Sequence, residues 1–111
     1  MSDEFLKSAE KRVSKASDDS EADIEDAFCK HAIKSGCKAL KLVYLRRRGF
    51  PDRTVLCPNG RVLFIEFKRK NTHQTSTQFA VQQMLEYLGF NYYICREIGQ
   101  AEQILQNFLK N

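Results

Sequence analysis

The chain has 111 residues, which is enough for one hydrophobic core but too few for two separate domains. Its composition, 42% hydrophobic and 29% charged, is typical of a soluble globular protein, and no apolar run approaches the roughly 20 residues that cross a bilayer. We expect a polar tail or short accessory helix over residues 1–19 and one domain over residues 20–111. Because the N-terminal residues lack the apolar stretch of a secretory signal, we also expect a cytoplasmic protein without a membrane partner.

The net charge of +4 is modest, but the positive charge is concentrated in the middle of the chain. Residues 44–74 contain eight basic and two acidic side chains, whereas the first twenty residues contain four basic and five acidic ones. A local excess of this kind suits a polyanion such as nucleic acid. It is equally compatible with a solvated surface, so the charge alone leaves both interpretations open.

The four cysteines are scattered along the chain without a C-x-x-C pair, so their spacing indicates neither a zinc site nor a redox dithiol. They are Cys29, Cys37, Cys57 and Cys95. Cys29, His31 and Cys37 could be considered a metal-ligand cluster. We prefer the simpler interpretation that the cysteines are small core residues in a reducing compartment.

A helix over residues 21–35 is the first firm element in chain order. Apolar residues recur at helical spacing at Ile24, Ala27 and Phe28 and then at Ala32, with Ile33 as a further candidate, and Gly36 is placed to end the helix. The segment that follows, "CKALKLVYLRRR" at residues 37–48, alternates between its two faces. This period predicts a β-strand.

Two further strands are predicted in "RTVLC", residues 53–57, and "RVLFIEFKR", residues 61–69. Pro58, Asn59 and Gly60 lie between them, and these residue types favour a tight turn. The two strands are therefore expected to form an antiparallel hairpin.

The last part of the chain predicts a helix, a strand and a second helix. Residues 77–88 place Val81, Met84, Leu85 and Leu88 on one side, with Ser76 or Thr77 as the N-cap and Gly89 as the stop. "NYYICR", residues 91–96, is a fourth strand, and "GQAEQILQNFLK", residues 99–110, is an amphipathic helix. Its inward positions are Ala101, Ile104, Leu105 and Phe108. The order is α-β-β-β-α-β-α.

The third strand carries two charges within an otherwise apolar run. Residues two apart share a face of a strand, so Glu66 and Lys68 emerge side by side while Ile65 and Phe67 point into the core. Burying an unpaired carboxylate costs several kcal/mol, so Glu66 is expected to have a cation partner or a metal. The alternative is that it merely pairs with Lys68 or Arg53 near the sheet surface.

Asp52 precedes the second strand, and the hairpin brings it alongside the far end of the third strand. Counting outward from the turn, a bulge or small offset is enough to bring Asp52 close to Glu66 and Lys68. Two neighbouring carboxylates repel unless a proton or cation lies between them, and Mg²⁺ takes such oxygen ligands. With a lysine to stabilise developing charge, the site predicts metal-assisted phosphodiester hydrolysis.

Pro51-Asp52, thirteen intervening residues and Glu66-Phe67-Lys68 together resemble the PD-(D/E)XK nuclease motif. The flanking "RRRGFPDRTVLCPNGRVLFIEFKRK" followed by "STQ" resembles the VRR-NUC branch of that superfamily. The resemblance covers roughly residues 21–98. It implies an α/β fold with a restriction-endonuclease-like core, α-β-β-β-α-β with a C-terminal helix, around a mixed four-stranded sheet.

The resemblance also implies roles for individual residues. Asp52 and Glu66 would be metal ligands together with the Phe67 carbonyl, the metal would be Mg²⁺ or Mn²⁺, and Lys68 would be the catalytic lysine. Glu25, on the inward side of the first helix, matches the family's helical acid and could hold a second metal or its water. Its alternative is a solvated helix charge.

Gln78 matches the family glutamine that contacts the scissile phosphate or supports the catalytic lysine, with helix capping as the alternative. Lys41 is either a phosphate-binding cation of the site, as the resemblance suggests, or a snorkelling edge residue. Contacts with the DNA phosphates are expected from the basic residues that flank the motif. They are Arg46, Arg47, Arg48, Arg53, Arg69 and Lys70, with His73 on the same surface.

Stand-alone domains of this family are similar in size to this chain, are often carried by phages and act on branched DNA. A four-way junction has two-fold symmetry, so a homodimer with two active sites would match it. We expect a metal-dependent, structure-selective endodeoxyribonuclease acting on Holliday-junction-like DNA, located in the bacterial host's cytoplasm if phage-encoded. The alternatives are a flap or nicked-duplex nuclease in a repair or replication assembly, a catalytically silent DNA-binding module, and a structural protein.

Overall fold

A computed structural model describes residues 20–42 and 48–111; the predicted tail, together with Arg46 and Arg47, lies outside these residues. The elements follow the predicted order. They are α1 (Glu21–Lys34), β1 (Lys38–Leu40), β2 (Arg53–Cys57), β3 (Arg61–Phe67), α2 (Ser76–Tyr87), β4 (Asn91–Cys95) and α3 (Gln100–Lys110). Within these two ranges no helix combines the length and apolar character that crossing a membrane requires.

The four strands form one sheet in the order β1-β2-β3-β4. β1 and β3 are both antiparallel to β2, whereas β4 runs parallel to β3. A parallel pair requires a crossover connection, which α2 provides between β3 and β4. The predicted mixed four-stranded sheet and α/β fold class are confirmed.

Helices cover both faces of the sheet. On one face α1 and α3 pack against the larger core, to which β3 contributes Leu63, Ile65 and Phe67. On the other face α2 packs Val81 and Leu85 against a smaller core that contains Phe64 and Tyr92. Because β3 lies between these two layers, every residue from Leu63 to Phe67 is buried.

Helix boundaries are set by their caps. Ser20 accepts the N–H of Asp23 at the start of α1, and Gly36 follows its end with a φ of +78°. α2 begins earlier than predicted, because Thr75 rather than Ser76 or Thr77 is the N-cap. Leu88 was expected to face inward; this was wrong, since α2 ends at Tyr87 and the Leu88 side chain is 59% exposed.

The first strand ends at Leu40, earlier than predicted. Pairing with β2 ends at Leu40 opposite Thr54, and Lys41 and Leu42 are not in a strand. β1 pairs with no other strand of the described residues, and β2 itself begins at Arg53, two residues after Pro51, which has no N–H to offer a ladder. The alternating pattern therefore continues beyond the point where a partner strand is present; residues 43–47 lie outside the described residues.

The β2–β3 hairpin has an uninterrupted register. It runs from Arg53 opposite Ile65 to Cys57 opposite Arg61. The turn is one 3-10 turn over Pro58–Gly60, in which Asn59 and Gly60 have φ values of +66° and +71°. Continued by one residue, this register places Asp52 opposite Glu66, so the bulge or offset expected from the sequence is not needed.

All four cysteines are free thiols. Cys37, Cys57 and Cys95 are buried in the larger core, and the half-buried Cys29 packs against it. Burial raises the pKa of the Cys95 thiol to about 12, so this thiol stays neutral. The prediction that the cysteines are core residues is confirmed.

Gly49 packs the segment that leads into β2 against the start of α2. Its φ is +83°, and a Cβ at this position would lie 2.8 Å from backbone atoms of Thr77 and Gln78. We expect Gly49→Ala to lower the free energy of unfolding by about 2–5 kcal/mol, since left-handed strain and overpacking add. Chemical denaturation measures this loss.

Gly89→Ala is the matched control. Gly89 has a similar φ of +93°, but a Cβ there would have nothing within 4 Å. This variant should lose only the left-handed strain, about 1–2 kcal/mol. Equal losses in the two variants would contradict a tight contact between Gly49 and α2.

Candidate active site

The candidate site lies at the end of the sheet where β2 begins and β3 ends. Asp52 immediately precedes β2, and its Oδ2 accepts the backbone N–H of Phe67 at 2.7 Å. This hydrogen bond ties the entry to β2 to the last residue of β3. The hairpin therefore brings Asp52 next to the Glu66-Phe67-Lys68 segment, as the sequence predicts.

The Glu66 carboxylate is almost completely buried, with 1% of the residue exposed. Its Oε1 accepts a hydrogen bond from the Tyr92 hydroxyl at 2.6 Å, and its Oε2 is buried without a hydrogen-bond partner. Surface pairing with Arg53 was one alternative for Glu66; it is wrong, because Arg53 lies on the opposite face of the sheet. The partner that sequence reasoning missed is Tyr92.

Tyr92 remains a hydrogen-bond donor in this environment. Burial and the adjacent Glu66 carboxylate both raise the pKa of its hydroxyl well above the ordinary value near 10. The hydroxyl in turn accepts a long hydrogen bond from Gln74 Nε2 at 3.4 Å. The sequence offered only one signal for this contact, a tyrosine on the strand that follows the crossover.

Several charges converge on Asp52. Burial is the main effect that raises the pKa of its carboxyl, and the nearby Glu25 carboxylate raises it further. The Phe67 N–H and the ammonium groups of Lys68 and Lys41 act in the opposite direction. Glu25, Lys68 and Lys41 therefore all interact electrostatically with Asp52, although Lys41 itself is exposed and outside β1.

Glu25 is not the solvated helix charge that was one alternative for it. Its Oε2 accepts Arg53 Nε at 2.6 Å, and the side chains of Arg53 and Glu25 are only 22% and 17% exposed. The Arg53 guanidinium also donates to the carbonyl of Ala39 at 3.1 Å. Two residues predicted as a metal ligand and a DNA contact are thus paired with each other in this structure.

Gln78 takes part in the N-terminal capping box of α2. Its Oε1 accepts the N–H of Thr75 at 2.9 Å, and its own N–H donates to Thr75 Oγ1 at 3.1 Å. The capping contact considered from the sequence is therefore present. It occupies only the amide oxygen, and the side-chain nitrogen has two further donors.

The basic residues after β3 lie on an exposed loop. Arg69 and Lys70 are exposed, as is Arg48 before β2. Arg96, which follows β4 and was not singled out in the sequence, donates to the carbonyls of Arg69 and Thr72 at 2.9 and 2.6 Å. These contacts fix the loop that carries the basic residues beside Lys68.

The oxygen atoms at this site suit a hard divalent cation. Within residues 20–42 and 48–111, no group of three or more His, Cys, Asp or Glu side chains could hold a metal by itself. Asp52 and Glu66 provide two neighbouring carboxylates, however, and the buried Glu66 Oε2 has no partner. Mg²⁺ commonly takes one or two carboxylates and completes its shell with waters and substrate phosphates. The donor set fits such an ion.

Comparison with known proteins shows a similarity in sequence to a phage protein and a similarity in fold to a solved domain. No family model matches the chain. It is 39% identical over 69 residues to "Putative nuclease p44" of Acyrthosiphon pisum secondary endosymbiont phage 1, a match covering 59% of this chain and 74% of the relative. A solved structure described as a VRR_NUC domain is 24% identical and has a TM-score of 0.73, covering 79% of this chain and 96% of that one.

The raised pKa of Asp52 predicts how stability depends on pH. Between the ordinary pKa of 3.8 and the raised pKa of the folded state, the folded protein binds more protons at this site than the unfolded chain does, so Asp52 makes folding less favourable as the pH rises through this range. Asp52→Asn removes the charge but keeps an oxygen that can accept the Phe67 N–H. Without divalent metal, we expect this variant to be more stable than the parent at pH 7.

The stability gain of Asp52→Asn should shrink as the pH falls towards 3.8, where Asp52 itself becomes protonated. Urea denaturation at several pH values in EDTA measures the difference. Asp26→Asn on the exposed side of α1 is the control and should change stability little. A less stable Asp52→Asn variant at neutral pH would argue against a desolvated charge at this position.

Proposed function

We propose that this chain, which belongs to the family of the phage protein and has the VRR-NUC fold, is a metal-dependent nuclease that hydrolyses phosphodiester bonds in DNA. The observation that carries the proposal is the Asp52–Glu66 pair with the buried, unpartnered Oε2 of Glu66. A protein that only binds DNA gains affinity from basic residues, and paired carboxylates would repel the phosphates. A cation between the carboxylates removes that repulsion.

The proposed ligands of Mg²⁺ or Mn²⁺ are the carboxylates of Asp52 and Glu66 and the backbone carbonyl of Phe67. When bound, such an ion polarises a phosphate oxygen and lowers the pKa of a coordinated water. Lys68 lies two residues beyond Glu66, and its ammonium interacts with Asp52. We assign Lys68 the stabilisation of the negative charge that develops on the phosphate oxygens.

Glu25 and Gln78 have supporting roles in this proposal. Glu25 adds negative charge beside Asp52, which favours a cation, while Arg53 holds its carboxylate in place. Gln78 uses its amide oxygen to cap α2 and can still donate its amide N–H groups to the scissile phosphate. Arg53 is then a structural partner of Glu25, because its guanidinium is already engaged on two sides.

Contacts with the DNA backbone are proposed for six basic residues that flank the motif in the sequence or lie close to the site. The six are Lys41, Arg46, Arg47, Arg48, Arg69 and Lys70; Arg46 and Arg47 lie outside the described residues and are included for their sequence position alone. Such contacts position the duplex without reading its sequence. Contacts of this kind suit a nuclease that recognises the shape of its substrate.

The substrate we propose is branched DNA, with the four-way junction as the leading candidate. Resolution of a two-fold symmetric junction requires two symmetric cuts, and a homodimer would supply two sites. Flaps and nicked duplexes are the alternative substrates. If a phage encodes the chain, the reaction takes place in the cytoplasm of its bacterial host.

Removing the charge of Lys68 or the charge of Asp52 should abolish cleavage. We expect Lys68→Ala and Asp52→Asn each to lower the cleavage rate in Mg²⁺ by at least about 100-fold, since each removes a group that stabilises the transition state or holds the metal. Gel-shift affinity for the same DNA in Ca²⁺ should change little. Rates are measured by single-turnover cleavage of an end-labelled junction.

Lys110→Ala is the charge-matched control for Lys68→Ala. Lys110 ends α3, close to Phe108, over which the Arg61 guanidinium at the start of β3 is stacked. It therefore lies at the end of β3 opposite to the site and should leave the cleavage rate unchanged. Full activity in the Lys68→Ala or Asp52→Asn variant would rule out the proposed site.

Substrate choice is tested with a panel of four-way junction, flap, nicked and linear duplex DNA in Mg²⁺ or Mn²⁺. We expect the junction to be cut at least about tenfold faster than the linear duplex, with paired cuts in opposing strands. Light scattering of the protein–junction complex should give two protomers per junction. Preferential cutting of flaps would select the alternative substrate, and a monomer on the junction would contradict paired cuts.

A further inference from the structure

Tyr92 connects the smaller core to the candidate site. Tyr92 is 6% exposed and packs with Phe64, Val81 and Leu85. The parallel register pairs Tyr92 with Phe64 and Glu66 with Ile94, so its hydroxyl reaches along the sheet to a residue two positions further on. There it donates to Glu66 Oε1 at 2.6 Å.

This hydrogen bond makes the two oxygens of Glu66 different. The last torsion of a glutamate side chain is soft, and by itself either oxygen could take either direction. Because Oε1 is held by Tyr92, Oε2 is the oxygen that faces away from this contact, and it is buried without a partner. The carboxylate is thus oriented before any cation arrives.

The Tyr92 hydroxyl is itself held from the other side. Gln74 Nε2 lies 3.4 Å from the hydroxyl oxygen and donates to it. Because a tyrosine hydroxyl has a single proton, accepting from Gln74 is compatible with donating to Glu66. Gln74 precedes the Thr75 N-cap of α2, so the chain Gln74–Tyr92–Glu66 connects the loop after Lys68 to the site.

We propose that Tyr92 is a positioning residue, which orients the Glu66 carboxylate so that Oε2 alone is presented to the divalent cation. The inference rests on the proposed function, since it concerns the same site. Hydrogen bonds to ligating carboxylates fix the geometry of metal sites, and their loss typically weakens metal binding or activity by 10–100-fold. A tyrosine that merely filled the core would affect stability and leave the metal affinity unchanged.

Tyr92→Phe removes the hydroxyl and keeps the ring in the core. Tyr93→Phe is the matched control, because Tyr93 faces the larger core and its hydroxyl accepts a hydrogen bond from Asn91 at 3.1 Å. Two readouts are needed: Mn²⁺ affinity, from the electron paramagnetic resonance signal of the free ion, and the Mg²⁺ concentration that gives half-maximal cleavage. Thermal unfolding in EDTA reports stability separately.

We expect Tyr92→Phe to weaken Mn²⁺ binding about tenfold or more and to raise the half-maximal Mg²⁺ concentration by a similar factor. Saturating metal should restore much of the cleavage rate, and the KM for DNA should not change. Tyr93→Phe should match the parent in both metal readouts. A lower unfolding temperature with unchanged Mn²⁺ affinity and Mg²⁺ midpoint would overturn the role of Tyr92.

The measurements distinguish a failure of the proposed nuclease function from a failure of the Tyr92 inference alone. A parent protein that binds no Mn²⁺ and cuts no DNA overturns the nuclease proposal and this inference together. A metal-dependent parent whose Tyr92→Phe variant has the same metal affinity overturns only the inference.

If Tyr92→Phe does not fold, Gln74→Ala replaces it. This loop variant should raise the Mg²⁺ midpoint about two- to threefold, since it removes one long hydrogen bond. An unchanged midpoint overturns the inference.

Discussion

The buried carboxylate of Glu66 is the constraint on which the rest of the structure depends. β3 is covered by helices on both faces, so a charged group in this strand cannot reach water except at the end of the sheet. A buried charge without full compensation costs several kcal/mol. Tyr92 satisfies one oxygen only, and the other remains available. The fold thus maintains an unfavourable arrangement that a bound cation would relieve.

The surrounding elements add further negative charge close to Glu66. Continued one residue past Arg53, the hairpin register places Asp52 opposite Glu66, and the desolvated Asp52 carboxylate also interacts electrostatically with Glu25. Arg53, which lies on the opposite face of the sheet from Glu66, pairs with Glu25 and holds its carboxylate near the site. Accumulated negative charge lowers the stability of the metal-free protein, and a ligand that binds only the folded state restores it. Stability and function are therefore opposed at this end of the sheet.

Most of the fold follows from local patterns in the sequence. The helical spacing of Ile24, Phe28 and Ala32, the turn residues after Cys57 and the amphipathic C-terminal helix each report the conformation of their own segment. The meeting of Asp52 and Glu66 was also predictable, because a three-residue turn leaves little freedom of register. The N-cap of α2 could also have been predicted, since Thr75 and Gln78 have the spacing of a capping box.

The interactions that sequence reasoning missed are those set by packing between distant segments. Tyr92 reaches Glu66 because α2 fixes how the parallel strand β4 docks beside β3, and the sequence does not indicate whether Tyr92 or Tyr93 faces the site. The ion pair of Glu25 with Arg53 likewise depends on how α1 lies across the sheet. The alternation after Leu40 predicted that the strand includes Lys41 and Leu42, which are not in a strand, because a period of two shows a propensity for strand but does not show that a partner strand is present.

In the proposed function, Asp52 and Glu66 share a divalent cation, and Glu66 Oε2 is one of its ligands. Anomalous diffraction from crystals grown with Mn²⁺ tests it most directly, because the ion is located independently of any assay. We expect an anomalous peak between the two carboxylates, within bonding distance of Glu66 Oε2. A protein that cuts DNA in Mn²⁺ while the ion binds elsewhere, or that leaves Oε2 uncoordinated, would contradict it.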